Sequence, residues 1–380
     1  MIEIKEVVTK KDARMFAKYP VELYKGNPYY VPSLRSDEMM TFDKKKNFNL
    51  ETNPSKGFLA FKDGELVGRI AGFINTKYND ISGGKYIRFS RFECIDDLEV
   101  FKALLKAVAN YGKENGMEIM HGPWGFNDTD REGMLTYGFD QISTYATNYY
   151  YPYFAENLKK LGFKDESKWL ELRFKIPTEY PERIFKLAEK LKQKYELTEI
   201  AEFMSVKQIL DNYGDEFFET MTLAYQHLDG YVPIEGKERQ NMLDQFATIV
   251  NKRYISILVN KEGKVAGLGI VLPSIAKALQ KHDGKLFPTG FVSVLKAIKK
   301  PKVLEMALIA IRPEYKNSGI NAVVMSRIIK NIVDDKIESI ESNPMLEHNL
   351  NIIQQWKFAE SEIVKRRQTF FETVDNVLSM

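Results

Sequence analysis

The chain has 380 residues, more than a single hydrophobic core usually spans, so two or more domains are expected. Apolar residues make up 44% and charged residues 28%, the balance of a globular protein and not of a disordered one. The net charge is only +3, with Lys and Arg interleaved among Asp and Glu, which excludes the basic footprint of a nucleic-acid-binding protein.

Residues 1–14 carry charges every two or three positions instead of the apolar stretch of a signal peptide. No later window reaches the eighteen apolar residues of a membrane span, so no membrane partner is expected. Residues 2–8 alternate as a strand, and residues 11–19 show helical spacing through Ala13, Phe16 and Ala17. Residues 58–61 and 66–75 read as strands around the turn Lys62-Asp63-Gly64-Glu65. A strand over 86–92 follows, then a helix over 96–115 with Val100, Leu104, Leu105, Val108 and Ala109 on one face and Gly116 as its stop. Cys94 is the only cysteine, so no intrachain disulfide can form and a cytoplasmic setting is expected. The four histidines lie far apart without local ligand partners, so no metal is expected.

A short strand over 117–120 feeds the loop 121–128, dense in turn formers and aromatics, which suggests a pocket wall. A helix over 154–161 and a strand over 170–176 close the first domain, and residues 182–195 read as an amphipathic, lysine-rich linker helix. The pattern then repeats. A helix over 216–227 precedes strands 254–259 and 265–272 around Lys261-Glu262-Gly263-Lys264, and the Val265-Ala266-Gly267 start mirrors Val67-Gly68. Internal duplication explains the likeness. Strand 302–311, loop 312–319, helix 321–334, strand 337–340, helix 349–357 and strand 364–371 complete the chain. The expected domains are residues 1–178, a linker over 179–197, and residues 198–380.

The stretch Ala307 to Val323 turns from strand to helix within a few residues. A helix N-terminus carries unpaired N–H groups and partial positive charge, and Gly319 lets backbone approach closely, so a pyrophosphate fits there with Lys316 as a mobile cation. The alternative is that Pro313 and Gly319 only shape a tight connection.

The stretch resembles the coenzyme A loop of the GNAT (N-acetyltransferase) superfamily, with Lys316 at its basic or polar position, Gly319 matching, and Asn321 at the second small position. The whole chain is similar to bacterial proteins with two GNAT-like domains in tandem. That likeness rests on residues 27–32, Phe58-Leu59-Ala60 with 67–71, Gly122-Pro123, Gly133-Met134-Leu135, Gly138-Phe139, Leu272-Pro273, 284–286 and 345–349. The resemblance implies an α/β (α+β) fold of two domains, each a mixed, mostly antiparallel central sheet flanked by helices. It implies acetyl-CoA or another acyl-CoA held by the backbone of Leu308, Ile309, Ala310 and Ile311, by Lys316, Asn317, Ser318, Gly319, Ile320 and Asn321, and by Asn349. In the first half the corresponding place, residues 89–98, has no glycine and three acids, which repel a pyrophosphate.

Acyl transfer to an amine needs a base for the ammonium proton and an acid for the leaving thiolate. Glu305, in the strand before the loop, and Glu347 are the catalytic candidates; Glu305 also reads as an edge-exposed charge, and Asn349 also reads as a helix N-cap. Trp124, Phe126, Tyr149 and Tyr150 are a candidate acceptor pocket, with an aromatic core or domain interface as the alternative. The expected activity is N-acylation of a small amine by a monomer or homodimer; the competing expectation is a catalytically silent protein that binds a small ligand between its domains.

Overall fold

In the computed structural model, residues 1–126, 130–349, 353 and 359–380 are described. The first half runs β1 (Ile2–Glu6), α1 (Lys10–Leu23), α2 (Arg35–Met40), β2 (Ser55–Lys62), β3 (Glu65–Phe73), α3 (Thr76–Ser82) and β4 (Tyr86–Cys94). It continues through α4 (Leu98–Glu114), β5 (Ile119–Gly122), β6 (Met134–Tyr137), α5 (Tyr153–Lys160) and β7 (Lys164–Phe174). The second half runs α6 (Glu182–Lys194), β8 (Thr198–Glu199), α7 (Val206–Tyr225), α8 (Lys237–Ile249), β9 (Ile255–Val259), β10 (Val265–Pro273), α9 (Ala276–Lys281) and α10 (Gly290–Lys299). It ends with β11 (Val303–Ile311), α11 (Ile320–Asp334), β12 (Ser339–Glu341), β13 (Met345–Leu346), β14 (Ser361–Thr373) and α12 (Val374–Ser379).

Local chemistry sets the helix starts. Thr9 and Asp12 form a capping box on α1, Asp97 caps α4, and Ser205 with Gln208 forms a capping box on α7. That second box starts α7 at Val206, ten residues before the apolar spacing alone indicates. β7 begins at Lys164 rather than 170, because its polar first residues pair with β14. The expected helix 349–357 lies, beyond Asn349 and Ile353, outside the described residues, as do residues 127 and 128 of the loop 121–128.

Each half builds an antiparallel run that ends in a parallel pair: β1-β2-β3-β4 with β5, and β8-β9-β10-β11 with β12. The duplicated hairpins of the sequence are β2–β3 and β9–β10. A single sheet joins the halves in the order β1-β2-β3-β4-β5-β14-β7-β12-β11-β10-β9-β8. The closing strands are exchanged: β14, last in sequence, lies against β5 of the first half, and β7 lies against β12 of the second. This architecture is the mixed α/β, mostly antiparallel one expected from the sequence.

The first half packs Phe89, Phe92, Phe101, Leu104 and Phe154 between β4, α4 and α5. The second half has apolar layers on both sheet faces. Val324 and Ile328 of α11 press on Leu258 and Val271, while Phe218 and Met221 of α7 press on Leu268 and Ala310. Gly269 of β10 admits α11 closely, since a Cβ there would lie 2.5 Å from Val324 Cγ1.

Candidate functional site

β11 and β12 pair only from Val303↔Ser339 to Glu305↔Glu341, and past that rung they diverge. The freed edge of β11 presents carbonyl groups that side chains occupy: Asn343 Nδ2 donates to Ala307 O at 3.1 Å, and the Tyr225 hydroxyl donates to Ile309 O at 2.6 Å. Two cavities meet at this edge. One, about 110 Å³, lies between Met306–Ile309 and Ser342–Met345. The other, about 450 Å³, opens between the two halves, and Tyr225, Ala307, Leu308 and Asn343 line both.

Glu305 sits at the floor of the larger cavity with 7% of its surface exposed. Its carboxyl accepts from the Tyr145 N–H at 3.0 Å and from the Ser274 hydroxyl at 2.5 Å. Burial pushes it up to about 7, against the pull of those two donors and with help from the Glu341 charge. A carboxyl poised there exchanges protons near neutrality. Beside it lies a ladder of charges, largely buried, between the exchanged strands and β12. Lys365 Nζ reaches Glu341 at 2.7 Å and Glu171 at 3.0 Å, Arg367 reaches Glu171 at 2.5 Å, and Arg173 reaches Glu341 at 2.8 Å. Burial opposes the charge on Lys365, but Glu171 and Glu341 outweigh it and hold the amine above its ordinary range.

The loop after β11 is anchored by buried Arg312, which binds Glu216 at 2.8 Å, Glu219 at 3.2 Å and Val265 O at 3.1 Å. Asn317 and Gly319 then take positive φ (62° and 84°), and α11 starts without a side-chain cap. Ser318 Oγ accepts from the Ile320 N–H at 3.3 Å. A Cβ on Gly319 would meet Leu191 Cδ1 of α6 at 3.3 Å in a backbone conformation that L side chains rarely adopt. The loop is therefore a helix start without an N-cap side chain, at a backbone conformation that favours glycine, compatible with a phosphate group.

The first half closes off the same features. The last parallel rung there is Arg88↔His121, an arginine where the second half has Glu305. Arg88 lies 4.6 Å from the Tyr78 ring centre and 5.4 Å from that of Trp124, and the Trp124 N–H takes the Phe89 carbonyl at 3.0 Å. Asp97 occupies the α4 N-terminus, accepting from the Glu99 and Val100 N–H groups, and pairs with Lys62 at 2.5 Å. An anion there meets a carboxylate.

The remaining candidates fall elsewhere. Glu347 pairs with Arg366 and does not line either cavity. Asn349 lines the larger cavity, and its N–H donates to Leu346 O at 3.0 Å. The four aromatic residues expected at an acceptor pocket are packed rings. Trp124 meets Trp169 at 5.3 Å and donates to Glu166, Phe126 stacks on Phe73 at 4.1 Å, Tyr149 donates to Phe139 O, and Tyr150 meets Phe154 at 5.3 Å. Large rings bury most by packing on one another, and the cleft takes Tyr145, Trp169, Tyr225, Tyr231 and Phe246 instead. Cys94 is buried, and burial pushes its thiol up, away from the thiolate form that a nucleophile needs. Sequence reasoning missed Tyr145, which acts through its backbone N–H, and Ser274, Tyr225 and Asn343, which carry no motif.

Among the described residues no helix is long and apolar enough to cross a membrane, and no cluster of His, Cys, Asp or Glu could hold a metal ion. No family model matches the chain. It is 26% identical over 381 residues to Protein YghO of Escherichia coli (strain K12), covering 97% of this chain and 94% of that protein. It is 20% identical over 319 residues to the bacterial ceramide synthase of Caulobacter vibrioides, covering 82% of this chain and 81% of that one. Among solved structures it is similar to a tandem GNAT protein from the clavulanic acid biosynthesis pathway, with a TM-score of 0.56, 12% identity, and coverage of 98% of this chain and 99% of that one.

Proposed function

With two GNAT units in tandem as the fold of this chain, we propose that it is an N-acyltransferase that moves an acyl group from an acyl-CoA to a primary amine bearing an apolar tail. The observation that carries this reading is Glu305, a carboxyl titrating near 7 where the open edge of β11 meets the cleft. The backbone of Leu308, Ile309, Ala310 and Ile311 would hold the amide-bearing arm of the donor. Lys316, Asn317, Ser318, Gly319, Ile320 and Asn321, at the α11 start, would hold its pyrophosphate, with Asn349 on the cleft side. Bound acyl-CoA supplies an activated acyl thioester. Glu305 removes the proton of the incoming ammonium group, and the Tyr225 hydroxyl, released from Ile309 O, protonates the leaving sulfur.

The cleft suggests the acceptor. Asp37, Glu38, Asp130, Glu132, Asp229 and Glu305 outnumber Arg91 and Arg131 in its lining, which favours a cation, and Met221, Leu228, Met242, Phe246, Ile249 and Leu308 give it an apolar surface. An amine with a hydrocarbon tail satisfies both. The relative named as a ceramide synthase points the same way, since a ceramide is a long-chain amino alcohol carrying an amide-linked acyl group. A second reading, a silent ligand-binding protein, is favoured by Asn321 at the second small position of the loop. Calorimetric titration with acetyl-CoA and with a long-chain acyl-CoA separates the two. Saturable binding lost in Gly319→Trp, whose melting curve serves as the folding control, supports the transferase; no binding by the folded parent chain overturns it.

A further inference from the structure

The segment between β10 and β11 projects a surface that the proposed reaction does not use. Residues 274–302 hold seven lysines against a single acid, Asp283, in a chain whose total net charge is +3. Among the described residues, only Lys302 of those seven forms an ion pair, with Glu338 at 2.7 Å. α10 is apolar on two faces. Its inner face, Val294, Ala297 and Ile298, packs on Val31, Ile275 and Leu279. Its outer face leaves Phe291, Val292 and Leu295 exposed at 40%, 55% and 47%, and Phe287, 77% exposed, brings its ring to 5.8 Å from that of Phe291. Four of the twelve large apolar side chains exposed on the described protein lie within residues 287–295, so this is a patch and not scatter.

We infer that this face docks the protein on an anionic phospholipid bilayer. Phe287, Phe291, Val292 and Leu295 enter the boundary between headgroups and acyl chains, while Lys285, Lys296, Lys299 and Lys300 beside them meet the phosphate groups. Charge selects this partner over a second copy of the chain. An isologous contact through the same face sets lysines against lysines, whereas an anionic bilayer supplies apolar depth and negative charge together. A short helix lying along the surface needs no spanning stretch, so the inference departs from the expectation of no membrane partner, which rested on the lack of such a stretch. The place is apt: Leu34 and Tyr145, which line the cleft, belong to the same apolar cluster as the inner face of α10.

Sedimentation of the full chain with vesicles tests the inference without any assay of activity. We expect binding to vesicles of equal parts phosphatidylglycerol and phosphatidylcholine at least about tenfold tighter than to phosphatidylcholine alone. The variant Phe287→Ser/Phe291→Ser/Leu295→Ser should lose binding to both. Lys296→Glu/Lys299→Glu/Lys300→Glu should lose the preference for phosphatidylglycerol; all these side chains are exposed, and circular dichroism checks their folding. No binding by the parent chain, or binding unchanged in the serine variant, overturns the inference. So does a dimer in sedimentation velocity that the serine variant abolishes without vesicles, which would assign the face to a second copy.

Discussion

Glu305 and Glu341 stand opposite each other on the last rung joining β11 to β12, yet their partners differ. Glu341 is held by Lys365 at 2.7 Å and Arg173 at 2.8 Å, whereas among the described residues Glu305 is hydrogen-bonded by the Tyr145 N–H and the Ser274 hydroxyl and forms no ion pair. Of two facing carboxyls, one keeps its countercharges and the other is left by burial to titrate at about 7.

Glu305→Gln should lower kcat/KM by about 100-fold and remove the rise in rate through about pH 7, read in initial rates across pH. Stability should change in the opposite sense. The carboxyl is raised from 4.5 to about 7 in the folded chain, so its contribution is fully present below 4.5 and lost as pH rises through 7. The parent should therefore lose on the order of 3 kcal/mol relative to Glu305→Gln between about pH 5 and about pH 8, measured by urea unfolding.

Tyr225→Phe keeps the ring and removes the hydroxyl that reaches Ile309 O. Its kcat should fall by about tenfold to 100-fold while KM for the amine changes little, since the role assigned to it is protonation of the leaving sulfur. An unchanged kcat would remove Tyr225 from the mechanism.

Lys365→Met leaves Glu341 with Arg173 alone and takes one of two cations from Glu171 in a buried site. Unfolding free energy should drop by about 3–5 kcal/mol, and Glu341→Gln added to it should restore part of the loss.

Asp97→Ala and Gly319→Ala contrast the two helix starts. The first removes a cap from α4 and should cost about 1 kcal/mol while leaving acyl-CoA affinity untouched. The second strains a positive-φ position beside Leu191 and should weaken acyl-CoA binding as well as the fold, both read by calorimetry.

Much of the fold was legible because its signals are local. Alternation marked β2–β3 and β9–β10, 3.6-residue spacing marked α4 and α11, and the shared turn exposed the duplication. The exchange of β7 and β14 was not, since pairing partners so far apart leave no periodicity in either strand. Glu305 was legible as a residue type in a strand before a glycine loop; its buried state was not, because the groups that enclose it, Tyr145 and Ser274, come from distant segments. The four aromatic residues misled for the same reason: composition tells that rings cluster, not whether a cavity or another ring faces them.

The most direct test is the release of coenzyme A thiol from an acyl-CoA on addition of a single-chain alkyl amine, followed across pH in the parent and in Glu305→Gln. We expect amine-dependent release that rises through about pH 7 in the parent and is about 100-fold slower and free of that limb in the variant. Release that ignores the amine, or a variant with the parental rate and pH profile, would contradict an acyl transfer driven by Glu305.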